Sequence, residues 1–223
     1  LFSMLQETAI EHTTLLGAGR EKTLDQGLLW VVVYQYAKIH SLPCYDENFI
    51  LESWPGKTMH TLFPRYYRLT GTAGELFAEA SSLWVLVDEK TRAMVFPEEH
   101  DIMIPGTKTG SETDLPRRFV LPKEMTEGPS FTVPPSYVDM NGHMNNARYF
   151  DLAFDTLPIE YSERKLHEIT AEYVNEAKLG ETMTVSYQVT GKEAFLAGAT
   201  QQTVFRMRMR FDTGYYKRIV TVQ

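Results

Sequence analysis

The hydrophobic pattern of this chain runs through two similar cycles. Residues 3–16, SMLQETAIEHTTLL, read as a helix, with Ser3 and Gln6 as a capping box and Gly17 as its stop. Runs rich in β-branched and aromatic residues follow: LWVVVYQYAKI, NFILESW, LFPRYYRLTG and ELFAEASSLWVLVD, separated by Pro, Gly and Asp. Residues 97–130 lose that pattern and are rich in Pro, Gly, Thr and charge, so they predict a linker over the surface. The second cycle opens on a short strand, FTVPPSYVD. Its helix starts near Asn145, with Ala147, Phe150, Ala153, Phe154 and Leu157 on the 3.6-residue period, and ends at Pro158. Strands then resume in HEITAEYVNEA, ETMTVSYQVTG, EAFLAGATQQTVFRMRMRFD and YYKRIVTV.

The cycles share weak internal similarity, RLTGTAGELFAEASSLWVLVD against QVTGKEAFLAGATQQTVFRMRMRFD. Each predicts one helix packed on an antiparallel sheet, an α+β arrangement. The expected division is 1–96, 97–130 and 131–223. The first cycle begins at its helix and the second at a strand, so the first is expected to lack its initial strand, with an N-terminal extension as the check.

Composition narrows the classes. The chain has 223 residues, 43% hydrophobic and 23% charged, enough for a sizeable core. Its net charge of −7 argues against nucleic-acid binding through a general positive field. The longest apolar stretch, Leu28 to Tyr34, is strand-sized, so no membrane span is expected. Cys44 is the only cysteine, which rules out an intramolecular disulfide and a cysteine zinc cluster. The histidines (His12, His40, His60, His100, His143 and His167) are scattered without H-x-x-x-H spacing, so neither a metal nor a cofactor is expected. No phosphate loop and no G-x-S-x-G elbow is present.

The chemistry-bearing stretch is YVDMNGHMNNARYFD, residues 137–151. If it is extended, Asp139, Asn141 and His143 share one side, beside the positive end of the following helix. Unpaired N–H groups there could stabilise an oxyanion, one good donor being worth roughly 3 kcal/mol of barrier. Gly142 would permit close approach or a tight bend. Asx side chains also favour turns and caps, so a purely structural reading competes; Asn145 and Asn146 read as caps and Tyr149 as packing.

The string D-x-N-x-H-x-N-N-x-x-Y, with EYVNEA after it and LLWVVVYQYAKIH and ASSLWVLVDEKTRAMVFP before it, resembles the acyl–acyl carrier protein thioesterases of plants and bacteria. The resemblance spans nearly the whole chain. It implies two hotdog folds in tandem, each a helix wrapped by an antiparallel sheet, and hydrolysis of fatty acyl–acyl carrier protein to free fatty acid. It places catalysis on Asp139, Asn141, His143 and Glu176, the last from the following strand. Glu176 would act as general base or nucleophile, His143 as proton donor to the thiolate, Asn141 as the orienting group and Asp139 as holder of the histidine tautomer. Glu172, four residues upstream, is the competitor under a shift of register. Many relatives carry a cysteine after this glutamate. Here Ala177 stands, so a cysteine nucleophile is out and the carboxylate remains.

The implied partner is an acyl carrier protein, with a homodimer as a possible assembly and a bacterial cytoplasm preferred over a plastid. Trp30, Met59 and Trp84, with Val32 and Leu62, are candidates to line an acyl tunnel; any sheet-on-helix core would use the same residues. Arg206, Arg208 and Arg210 alternate with apolar residues in FRMRMRF and would form a basic stripe for an acidic carrier, with Arg117, Arg118, Lys217 and Arg218 as further candidates. A solvated strand face accounts for the stripe equally well. An acyl-CoA thioesterase, a hotdog hydratase and a non-catalytic acyl-binding module remain the alternatives.

Overall fold

The computed structural model describes residues 1–107, 113–139 and 141–215, which fall into two units, 1–118 and 119–223. Lys217, Arg218 and most of the expected strand YYKRIVTV lie outside the described residues.

The first unit opens on helix α1 (Phe2–Leu15). No side chain caps its start, so the expected Ser3–Gln6 box is not formed. Its end is a Schellman turn: Ala18 N–H donates to Thr13 O and Gly17 N–H to Thr14 O, with Gly17 at φ +74°. Strands β1 (Leu28–Ile39), β2 (Phe49–Pro55), β3 (Phe63–Gly71) and β4 (Leu76–Asp88) pair antiparallel in the order β2-β3-β4-β1. All four match the strands expected from the sequence within two residues.

Residues 97–107 are more than a surface linker. Ile102 and Ile104 are buried with Ala18, Leu28, Phe63 and Leu86, because the apolar pair in HDIMIPG has a core to fill. Thr58 ties this run down, donating to Ile104 O at 3.1 Å and accepting Ile104 N–H at 2.9 Å. The other end of the expected linker is also structured, since β5 (Thr126–Thr132) starts inside it.

In the second unit β5 precedes helix α2 (Arg148–Thr156), and a short α3 (Ile159–Ser162) follows the break at Pro158. Strands β6 (Arg164–Tyr173), β7 (Thr182–Thr190), β8 (Glu193–Ala199) and β9 (Thr203–Tyr215) complete an antiparallel sheet in the order β6-β9-β8-β7-β5. The stretch 193–212, expected as one strand, is a hairpin: Thr200 N–H donates to Gln202 O and the chain reverses. Its turn, T-Q-Q, has neither Gly nor Pro to announce it.

The helix-facing side of this sheet is apolar. Met183, Val185, Ala194, Leu196, Phe205, Met207 and Met209 are all 0% exposed. Gly198 is required by that packing, since a Cβ there would fall 2.2 Å from the Phe205 ring.

Candidate functional site

The YVDMNGHM stretch does not run as a continuous strand. It forms a tight hairpin between Val138 and Met144, in which Asp139 N–H donates to His143 O (3.0 Å) and Gly142 N–H to Asp139 O (3.0 Å). Gly142 takes φ +81°, and a Cβ added there would meet nothing within 4 Å. The glycine is therefore needed for the bend and not for close approach. The Asp139 carboxylate accepts the N–H of Asn141 at 2.8 Å, an Asx turn. Asp139 thus shapes the turn, and the Asn141 side chain is exposed at its tip.

His143 is where chain segments converge. It bridges to Lys178, and the neighbouring Met144 N–H donates to Ala177 O at 2.8 Å. This brings His143 Nε2 within 3.2 Å of Glu176 Oε2. The His143 side chain is 14% exposed and that of Glu176 37%, so the pair stands at a rim where solvent and a substrate can reach the carboxylate. Glu176 lies beyond the end of β6, not on a strand. The competing Glu172 is inside β6, where its carboxylate pairs with Arg206 at 3.3 Å.

The start of α2 is less open to an oxyanion than its sequence suggests. Asn145 Oδ1 accepts Ala147 N–H (2.9 Å) and Asn145 O accepts Arg148 N–H (2.9 Å). Asn145 thus closes the turn that leads into α2, but the helix itself starts from Ala147 with no side-chain cap, so the expected Asn145 and Asn146 caps are not formed.

Tyr149 packs against the sheet, as expected. Its ring is buried against Phe205 and Tyr173, with centroids 5.1 and 5.7 Å away. Burial, with the charges of Glu176, Glu181 and Asp139 nearby, pushes its pKa well up, so the hydroxyl stays neutral.

The other candidates are dispersed. Trp30 and Trp84 pack on the cluster around Phe63 and Leu86; Trp30 donates to Ala18 O (3.1 Å) and Trp84 to Ser82 Oγ (2.7 Å). Met59 is 43% exposed on the turn to Leu62, outside that cluster. The arginine stripe is not free positive charge. Arg206 pairs with Glu172, Arg208 with Glu193, and Arg210 with Glu193 and Glu168. Three glutamates offset three arginines in a ladder across β6, β9 and β8, so the stripe is a neutralised sheet face. Arg117 is likewise paired, with Asp114. Among the described residues no group of acidic, histidine or cysteine side chains could hold a metal, and no helix is long and apolar enough to cross a membrane.

An antiparallel sheet against a helix, occurring twice in one chain, defines a tandem hotdog protein. The chain belongs to the acyl-ACP thioesterase family: residues 1–102 match its N-terminal domain and residues 122–222 its C-terminal domain. A solved acyl-ACP thioesterase from Bacteroides thetaiotaomicron aligns over 94% of this chain and 87% of its own, with TM-score 0.75 and 21% identity. The 12:0-ACP thioesterase of Umbellularia californica aligns over 95% and 88%, with TM-score 0.77 and 20% identity. A chloroplastic palmitoyl-acyl carrier protein thioesterase of Arabidopsis thaliana is 27% identical over 202 residues, 84% of this chain and 49% of that protein. Its counterpart from Cuphea hookeriana is 25% identical over 190 residues, 77% of this chain and 45% of that protein. The chain spans about half the length of the curated relatives it matches.

Proposed function

We propose that this chain hydrolyses the thioester of fatty acyl–acyl carrier protein and releases the free fatty acid. The observation that carries the reading is the 3.2 Å contact between His143 and Glu176 at an accessible rim. In this reading Glu176 takes a proton from water as the oxygen attacks the thioester carbonyl, while His143 orients the carboxylate. The tetrahedral oxyanion collapses, the C–S bond breaks, and the proton passes through the pair to the leaving thiolate. Asn141, presented at the tip of the turn that Asp139 closes, orients the carbonyl or the water. Family membership supports the carrier protein as donor over coenzyme A. The carrier would dock somewhere other than the arginine ladder. A homodimer and a bacterial-type cytoplasm complete the reading, and the chloroplastic curated relatives are the argument for a plastid instead.

The test is hydrolysis of matched acyl-carrier-protein and acyl-CoA substrates of several chain lengths by the wild-type chain and by Glu176→Gln. The variant should lose about a hundredfold or more in turnover with its melting temperature unchanged. Near-normal turnover would remove Glu176 from the chemistry. No release from either donor by the wild-type chain would favour an acyl-binding module.

A further inference from the structure

The His143–Glu176 pair can move a proton, but a tetrahedral intermediate also needs a positive partner for its oxygen. The start of α2 gives little, since the N–H groups of Ala147 and Arg148 are both taken by Asn145. Asn141 is neutral and stands at an exposed tip.

A cation is built in directly across from the histidine. His143 and Lys178 are opposite residues of an antiparallel bridge, and Met144 N–H donates to Ala177 O at 2.8 Å. That bond joins the residue after one partner to the residue before the other. This is the pattern of a non-hydrogen-bonded pair, whose side chains stand closest together and on one face. Glu176, two residues before Lys178, reaches the same face, as its 3.2 Å contact with His143 requires. Carboxylate, imidazole and ammonium therefore share one side of the bridge. The root of Lys178 is fixed. It opens a tight turn in which Glu181 N–H donates to Lys178 O (3.1 Å) and the Glu181 carboxylate accepts Lys178 N–H (2.9 Å). Gly180, at φ +78°, donates its N–H to the carbonyl of buried Val133 at 3.0 Å, which ties the turn down. Lys178 itself is exposed, so its head stands in the solvent through which a thioester arrives.

We propose that Lys178 is a catalytic residue: its ammonium holds the oxyanion formed on the thioester carbonyl. The inference rests on the reading that Glu176 activates water. As the water oxygen bonds to the carbonyl carbon, the π electron pair moves onto the carbonyl oxygen, and Lys178 Nζ–H donates to it there. The ammonium keeps its protons throughout. When the carbonyl re-forms, the C–S bond breaks and its electron pair leaves on sulfur. The proton that Glu176 took from water goes to that thiolate.

The test measures hydrolysis of acyl-carrier-protein substrate by Lys178→Met, Lys178→Arg and Lys178→Cys. The last is made together with Cys44→Ser, so that position 178 holds the sole thiol. Lys178→Met should lower kcat about tenfold to a hundredfold with KM within about twofold, less than for a buried donor because water screens the rim. Lys178→Arg should fall between Lys178→Met and wild type, since it keeps the charge on a larger head. Alkylating Lys178→Cys with bromoethylamine restores an ammonium and should recover most of the loss. Iodoacetamide adds a neutral arm of similar length and should recover none. A kcat for Lys178→Met within about twofold of wild type would overturn the inference, as would an equal response to the two reagents. A raised KM at unchanged kcat would also overturn it, by making Lys178 a docking residue for the acidic carrier. If Glu176→Gln turns over normally, the underlying reading fails instead. Should Lys178→Met not fold, the two alkylated forms of Lys178→Cys supply the comparison.

Discussion

The helix-facing surfaces of the two units solve the same packing problem with opposite chemistry. In the second, the centre is methionine, phenylalanine, leucine and alanine, and polar function is kept to the rim. In the first, a polar cluster is set between helix and sheet, beside an apolar core. Arg65, opposite Ser82 on β4, is 4% exposed and donates to His12 Nδ1 (2.9 Å), Thr13 Oγ1 (2.9 Å) and Ser53 Oγ (3.1 Å). Tyr67 and Trp84 form a second hydrogen-bonded set with Ser82 at 3.1 and 2.7 Å. Among the described residues no carboxylate pairs with Arg65; its bonded partners are neutral. Burial lowers the pKa of Arg65, and burial together with the Arg65 charge lowers that of His12. What offsets the buried charge is the end of α1: His12 and Thr13 lie in its last turns, where the helix dipole favours a cation. Both units have an apolar core, and the first adds a hydrogen-bonded cation that ties its helix to its sheet.

Placing a cation in the apolar unit should give the largest effect. Met207→Lys puts an ammonium at a fully buried position opposite Ala171 and Leu196, and should cost on the order of 4 kcal/mol or abolish folding, read by denaturant unfolding. Stability within 1 kcal/mol of wild type would mean that the second interior is less closed than described. Arg65→Ala comes next. It leaves His12, Thr13 and Ser53 without their donor and opens a cavity, for roughly 2–4 kcal/mol. A loss confined to a few tenths would show that the network is dispensable.

A pH test follows. Because the folded-state pKa of His12 is depressed below its ordinary 6.5, the unfolded chain binds the extra proton more readily. The His12 contribution is therefore fully present above pH 6.5 and is lost as pH falls from there through the folded value. Melting temperature against pH should show this slope in the wild type, and His12→Gln should flatten it. The smallest effect is expected on the outer face. Glu193→Gln breaks half-exposed pairs with Arg208 and Arg210 and should cost about 1 kcal/mol or less. Charge reversal of Arg206 and Arg208 should leave KM for carrier-bound substrate unchanged, and a marked rise would restore the stripe as a docking surface.

The legible and illegible parts of the sequence differ in physical kind. Strands β1 to β4 were readable because β-branched and aromatic runs broken by Pro and Gly are local signals. The Schellman stop at Gly17 was readable for the same reason. The Thr200–Gln202 turn was not, since its residues are ordinary strand or loop types and the chain reverses there because β8 and β9 bury a common apolar face. Arginines 206, 208 and 210 advertised a positive stripe, and only the register of β9 against β6 and β8 revealed the glutamates that neutralise it.

The site divides the same way. By itself the sequence determined the family, the two-cycle layout, the acid, amide and imidazole of the turn, and the absence of a cysteine after Glu176. All of these are matters of residue identity and spacing. Tertiary structure decided that Asp139 serves the turn, that Glu176 stands 3.2 Å from His143, and that Glu172 pairs with Arg206. Those outcomes hang on a hairpin closing over the end of a strand some thirty residues away, and distance along a chain does not encode distance in space until the sheet fixes the register.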